Sequence, residues 1–353
     1  MSPTVPGPIA LLGSGETSPA GGSVFELLAR RGPTPLRISI LETPAGFQPN
    51  SAQVAGKVAA FMRQRLRARK PQVEVLPARR HGTPESPDDP EITAPLCSAD
   101  LIFLGAGSPT YAAAQLRDSR AWRRLVARHR RGAALAAASA AVIALGTYVL
   151  PVYEIYKVGA ELHWQPGLDL LGPYGLTLVF LPHWNNSEGG AELDTSRCFM
   201  GRARYERLRA MLPPEIVVLG IDEHTALLLD LEAGLAEVLG RGTVTIARGA
   251  DEETVARGET IALRELGPFH MPDLAADLPP EIWAELDAAA QAAAESSAPP
   301  AVLALVEERQ AARLRQDWST ADALRRRLAE LGWQVRDTPT GPIVEPLDGP
   351  AAG

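Results

Sequence analysis

The sequence predicts an α/β protein: a doubly wound, mostly parallel sheet of the class I glutamine amidotransferase-like kind, with antiparallel strands at its end and a small C-terminal helical hairpin. Three observations carry this expectation. Short apolar runs alternate with loops and helical stretches from residue 9 to residue 146, as in repeated βα units with ligands at the strand ends. After residue 230 the pattern changes to short strands punctuated by glycine. From Asp273 the composition changes again and becomes Ala-rich and helical. Three parts are therefore expected: a main domain over 1–270, a helix and linker over 271–299, and a module over 300–347.

The bulk properties set outer bounds. The chain has 353 residues, 46% of them apolar, enough for one large core plus an appendage. A net charge of −7 argues against a chain-wide nucleic-acid footprint. The basic residues are almost all Arg, with Lys only at 57, 70 and 157. Cys97 and Cys198 stand far apart, in neither a metal-like nor a disulfide-framework pattern, which fits a reducing, cytoplasmic setting. The first residues, MSPTVPGPIALLG, lack a basic region before their short apolar run, so neither a signal peptide nor a membrane span is expected.

The elements follow in order. Residues 9–12 form a strand ending in GSGETSPAGG, with a helix from about Ser23. This loop lacks the G-x-x-x-x-G-K-[ST] spacing and is no clean G-x-G-x-x-G. A turn is expected rather than a phosphate cradle, and no cofactor is called for. A strand at 36–42 (LRISILE), an amphipathic helix at 51–69 with an Arg-rich solvated face, a short strand at 73–76 and a polar, Pro-rich loop at 81–95 come next. The strand at 100–104 ends in GAGSPTY, with a helix from about Thr110. Residues 133–146 (AALAAASAAVIALG) read as a buried strand running into a helix, with one hydroxyl, Ser139, at the junction. Residues 148–175 are aromatic and Gly-rich without a clear period. A strand at 176–181 ends at Pro182, His183 and Trp184, and a polar loop leads to a helix from near Arg197. Strands are expected at 215–219 and 225–230, around the turn GIDEH, and then at 235–239, 243–247 and 259–263. A helix at 281–294 and the linker SSAPP precede a hairpin over 301–331 that breaks near 316–318. There Ser319 with Asp322 resembles a capping box, and Trp318, Ala321, Leu324, Leu328 and Leu331 share one face. The last segment, GWQVRDTPTGPIVEP, reads as strand, turn, strand.

A hydroxyl becomes a nucleophile only with a base and an oxyanion hole beside it. A strand-to-helix corner supplies the sharp turn of a nucleophile elbow and free helix N–H groups, although Ala137 and Ala141 stand where G-x-S-x-G has glycine. The candidate base is His183, at a strand end. The candidate orienting acid is Glu223 in the GIDEH turn, with Asp222 as fallback. The N–H of Ala140 and that of Gly107 are the expected oxyanion donors. The remaining histidines (81, 129, 163, 224 and 270) have no metal-cluster spacing, and no metal is called for.

In this order the features resemble the cyanophycinase and dipeptidase E family of serine peptidases. GSGE at 13–16 is similar to its first loop and FLGAGSPTYAAAQL to its GGN loop, with Ser108 in place of Asn. ASAAVIALG is similar to its nucleophile segment, and PHW stands where the family has its histidine. RCFMGRARYERL resembles its Arg-rich helix, and GIDEHTALLLD its G-I-D-E-x-T-A segment. The resemblance covers about residues 8–266. It implies a Ser139–His183–Glu223 triad acting on small or aspartyl-type peptides or amides, with Arg202 and Arg204 available to an acidic substrate. An exposed helix face is the alternative for those two arginines. For the domain as a whole the alternative is an inactive scaffold that serves as a binding protein.

A second resemblance is narrow. Glu308–Arg313 (ERQAAR), Asp317 with Trp318, residues 321–325 (ADALR) and 332–341 (GWQVRDTPTG) are similar to the C-terminal module of bacterial cysteinyl-tRNA synthetases. It implies a tRNA contact through 300–347. No HIGH-like or KMSKS-like segment accompanies it, so the chain is not itself a synthetase. Residues 301–331 carry six Arg against five acidic side chains, a modest footprint for tRNA. A hairpin packed on the main domain, or one that forms a homodimer, is the competing reading.

Overall fold

The computed structural model describes residues 5–273, 275–296, 298–338 and 341–347. They fall into two compact units, divided between residues 286 and 287.

The first unit begins β1 (Ile9–Leu12), α1 (Pro19–Ala29), β2 (Arg37–Leu41), α2 (Ser51–Arg65), β3 (Gln72–Leu76), β4 (Leu101–Leu104), α3 (Pro109–Leu116), α4 (Arg120–Arg130), β5 (Ala134–Ala138) and α5 (Ala140–Ala144). Ser18 caps α1, which starts before Ser23 because Pro19 takes its first position, where a missing N–H costs nothing. Helix α2 ends at Arg65, and the 51–69 stretch finishes as a separate 3-10 turn at Arg67–Arg69. The apolar pattern does not announce α4, an Arg-rich segment. Ser119 caps it, and its buried Ala121 and Leu125 join the core.

The unpatterned 148–175 region holds a two-strand hairpin, β6 (Tyr148–Val149) with β7 (Gln165–Pro166), around the short α6 (Val152–Tyr156). Then come β8 (Leu178–Leu181), α7 (Gly201–Arg209), β9 (Val217–Ile221), β10 (Thr225–Asp230), β11 (Leu235–Gly240), β12 (Val244–Arg248), β13 (Asp251–Val255), β14 (Thr260–Ala262) and the start of α8 (Pro280–Ser296), whose residues from 287 on belong to the second unit. Two expectations need correction. The antiparallel finish has four strands after β10, since β13 pairs with β12. The helix expected near Arg197 starts at Gly201, because Arg197, Cys198 and Phe199 all have φ between 56° and 67°, outside the helical region.

The strands form two sheets. The larger has the order β14-β11-β10-β1-β5-β4-β2-β3, parallel from β1 to β3 and antiparallel from β1 outward through β10. The smaller has the order β13-β12-β9-β8, with β8 and β9 parallel. Both faces of β5 are buried: Leu135 and Ala137 enter one apolar cluster, and Ala134, Ala136 and Ala138 enter the other. A strand covered on both faces reads as a continuous apolar run. The chain passes between the sheets at the β9–β10 corner, residues 222–224. Thr225 lies at the end of β1 that carries Leu12, and Leu12 is in turn in register with Ala138. That corner and the exit of β5 therefore share one edge.

The second unit holds α9 (Pro300–Leu314), α10 (Trp318–Glu330), β15 (Trp333–Thr338) and β16 (Gly341–Pro346). Val302, Val306, Leu328 and Trp333 form its small core. Asp317, rather than Ser319, caps α10, accepting from the N–H of Thr320 at 3.1 Å. The expected apolar face is buried at Ala321 and Leu328. Trp318 is 56% exposed and Leu331 is exposed as well, so the stripe is covered only at its centre. Residues 339 and 340, the expected turn of the terminal hairpin, lie outside the described residues.

Candidate active site

Ser139 leaves β5 with φ 54° and ψ −119° and caps α5. Its N–H still donates to the carbonyl of Leu12, so the chain keeps the sheet register up to the turn. A non-glycine residue there is strained, at a cost of about 1–3 kcal/mol, and must be held by its surroundings. The methyl groups of Ala137 and Ala141 are part of that hold, since both side chains pack in the apolar core.

The Oγ of Ser139 lies 2.9 Å from Nε2 of His183. Nδ1 of the same ring lies 2.9 Å from Oε1 of Glu223. A carboxylate only accepts, so Nδ1 carries the proton, and Nε2 is left to accept from the Ser139 hydroxyl. Side-chain exposures of 19% and 30% for His183 and Glu223 keep the relay at the surface edge of the core. Partial burial raises the Glu223 pKa. The hydrogen bonds from His183 and Asn186 outweigh that effect and hold it below its ordinary value.

The neighbours of this relay are polar groups with single tasks. Asn186, buried, donates from Nδ2 to Oε1 of Glu223 at 3.0 Å, and Oδ1 of Asn185 accepts from the Glu223 N–H at 2.8 Å. His183 itself has φ 53°. The left-handed turn at 197–199 braces it. The N–H of Cys198 donates to the His183 carbonyl, that of Arg197 to Trp184, and the Phe199 ring packs 5.7 Å from the imidazole. Sequence reasoning missed Asn185, Asn186 and Phe199. The only signal for the two asparagines is the polar NNSE after Trp184, and Phe199 has none in its local sequence.

Other candidates occupy more modest places. Oδ2 of Asp222 accepts from both the N–H and the hydroxyl of Thr243 at 2.9 Å, so the fallback acid belongs to a turn and not to the relay. The GSGE loop braces the β9–β10 corner: Oγ of Ser14 accepts from His224 N–H, and a Cβ on Gly13 would meet the Asp222 carbonyl at 2.1 Å. Arg204 spends its guanidinium on the carbonyls of Met200 and Phe199, which places it behind the His183 brace. Arg202 is exposed, and its backbone N–H donates to Asp194. A Cβ on Gly107 would lie 1.8 Å from the Pro44 carbonyl oxygen, and the next N–H, of Ser108, donates to that oxygen. The GAGS loop is thus fixed against the 43–45 turn. Ser108 caps α3, accepting from Tyr111 N–H. Ala140 opens α5, where the first N–H groups have no acceptor within the helix. Among the described residues no group of three or more His, Cys, Asp or Glu side chains is arranged to hold a metal ion. No described helix is long and apolar enough to cross a membrane.

The fold is shared with a solved peptidase from an acI-B1 Actinobacterium. The TM-score is 0.59 at 24% identity, over 74% of this chain and 98% of that one. A solved structure named as a putative peptidase E protein from Listeria monocytogenes EGD-e aligns at a TM-score of 0.41 and 15% identity, over 71% of this chain and 99% of that one. The tail has a sequence match instead. Residues 295–341 match the cysteinyl-tRNA ligase anticodon binding domain. The cysteine–tRNA ligase of Methanosarcina acetivorans is 46% identical over 53 residues, which is 15% of this chain and 11% of the ligase. That of Methanosarcina mazei is 47% identical over 47 residues, 13% and 10% respectively. The chain thus spans about a tenth of the length of the curated relatives it matches.

Proposed function

We propose that the first unit is a serine hydrolase, a peptidase or amidase in which Ser139 is the nucleophile, His183 the general base and Glu223 the residue that orients and charges the imidazole. The observation that carries this is the pair of 2.9 Å contacts linking three residues far apart in the chain. In acylation the Ser139 oxygen adds to the substrate carbonyl while Nε2 of His183 takes its proton. The same proton passes to the leaving amine as the carbonyl–nitrogen bond breaks. Water then repeats the sequence on the acyl-serine, releasing the acid and restoring the hydroxyl. The Ala140 N–H, one residue past the nucleophile, and that of Gly107 are the assigned oxyanion donors. The strained corner at Ser139 is read as a nucleophile elbow, like that of the cyanophycinase and dipeptidase E family. Two buried free cysteines fit a cytoplasmic setting. A fluorophosphonate probe should label Ser139 in the full chain, and undiminished labelling of Ser139→Ala would end the assignment.

For the tail we propose a tRNA contact through 300–347, supported by the family match. Filter binding of bulk tRNA across a salt series, with the full chain and with a chain lacking residues 300–353, tests it. Equal, weak retention by both would count against it.

A further inference from the structure

A cleft of about 760 Å³ opens where α3 begins, lined by Ser108, Thr110, Tyr111, Phe47, Tyr153 and Glu154 among others. It starts one residue after Gly107, and α3 packs against α5, the helix that Ser139 caps. The lining contains one charged side chain, Glu154. Its Oε1 accepts from the Thr110 hydroxyl at 2.5 Å, and that hydroxyl is 3.0 Å from Oγ of Ser108. Its Oε2 is shielded from the cleft and has no hydrogen-bond partner, so a ligand in the cleft can meet this carboxylate only at Oε1. Aromatic rings line the same cleft: Phe47 and Tyr111 pack 5.2 Å apart, and Phe47 and Tyr153 are exposed.

We propose that this cleft is a substrate subsite for a lysine-type alkylammonium side chain. The inference rests on the hydrolase reading above and gives that site a substrate class. The hydrocarbon stem would lie across Phe47 and Tyr111, with the ammonium at Glu154. Rings that bury a stem beside a cation favour this arrangement. An ammonium suits the site better than a guanidinium. With Oε2 shielded, the carboxylate cannot offer both oxygens to a planar fork, whereas a compact three-donor group can use Oε1 and the nearby hydroxyls. This differs from the acidic substrate that Arg202 and Arg204 suggest from sequence. Arg204 is occupied by backbone carbonyls, and the charge lining the cleft is negative.

The test uses N-capped peptidyl phosphonates that differ only in one side chain, Lys, Arg or norleucine, reacted with the full chain. Labelling of Ser139 should be at least tenfold faster with Lys than with norleucine, and faster than with Arg. Glu154→Gln should erase the Lys advantage over norleucine. Phe47→Ala, at an exposed position, should reduce the rate with Lys and norleucine alike. Equal rates for all three side chains, faster labelling with Arg than with Lys, or a Lys advantage that survives Glu154→Gln would each overturn the proposal. Independently, n-butylammonium should bind Ser139→Ala more tightly than n-butanol does, and no difference would also overturn it. Failure of a plain fluorophosphonate to label Ser139 would instead remove the hydrolase reading, while the binding arm would still report on the cleft.

Discussion

The two units use charge in opposite ways. In the first, polar side chains from separate loops converge on one edge, and the Ser139 hydroxyl ends a chain of partners. In the second, charges pair among themselves. Buried Arg309 makes a two-pronged contact with Asp337 at 2.8 and 2.9 Å, Arg313 shares the same carboxylate, and Arg327 pairs with Glu330. That pairing holds Asp337 below its ordinary pKa, chiefly through the hydrogen bond from Arg309. A set of groups that ends on a hydroxyl oxygen with free lone pairs can act on another molecule, whereas a set that closes on itself maintains a shape. The units also differ in how their likeness to other proteins is preserved. The first keeps a fold at 24% identity, and the second keeps 46–47% identity over a short stretch.

The contrast can be broken at several points. Ser139→Ala should reduce hydrolysis by at least about a thousandfold and abolish fluorophosphonate labelling, with the melting temperature unchanged or raised, because the loss falls on a group directed at substrate. Glu223→Gln should cost about a thousandfold in kcat with a native circular dichroism spectrum, since Gln can hold the wrong imidazole tautomer. In the tail, Leu328→Ala should cost about 3 kcal/mol in unfolding of that unit, read by limited proteolysis of the full chain, with Ser139 labelling intact. Asp337→Asn should cost about 2 kcal/mol there, because Arg309 stays buried with a weaker partner. The smallest effect is on acid stability. The folded Glu223 pKa lies below its ordinary value, so its contribution is present above the ordinary carboxylate range and is lost as pH falls through the folded value. The melting temperature of Glu223→Gln should therefore fall less steeply with acid than that of the wild type. A parallel fall would show that the His183 and Asn186 contacts add nothing to folding.

Local pattern carried much of this into the sequence. The strand Thr225–Asp230 has the bounds its apolar run implies, because the GIDEH turn before it and the acidic end after it are both local signals. Ser139, His183 and Glu223 were legible because each sits where a strand ends. The division into two sheets was not, since the pairing of β9 with β12 and of β8 with β9 depends on contacts between distant segments. Residues 197–199 depart from the local pattern for a different reason. Their local preference is helical, and tertiary hydrogen bonds to His183 and Trp184 override it.

That override has a consequence for how the protein can change. Three consecutive residues in a disfavoured backbone region are a standing thermodynamic debt, and glycine at 198 or 199 would relieve part of it. The same replacement would slacken the segment that grips the imidazole, so heat resistance and turnover are expected to move in opposite directions at these positions.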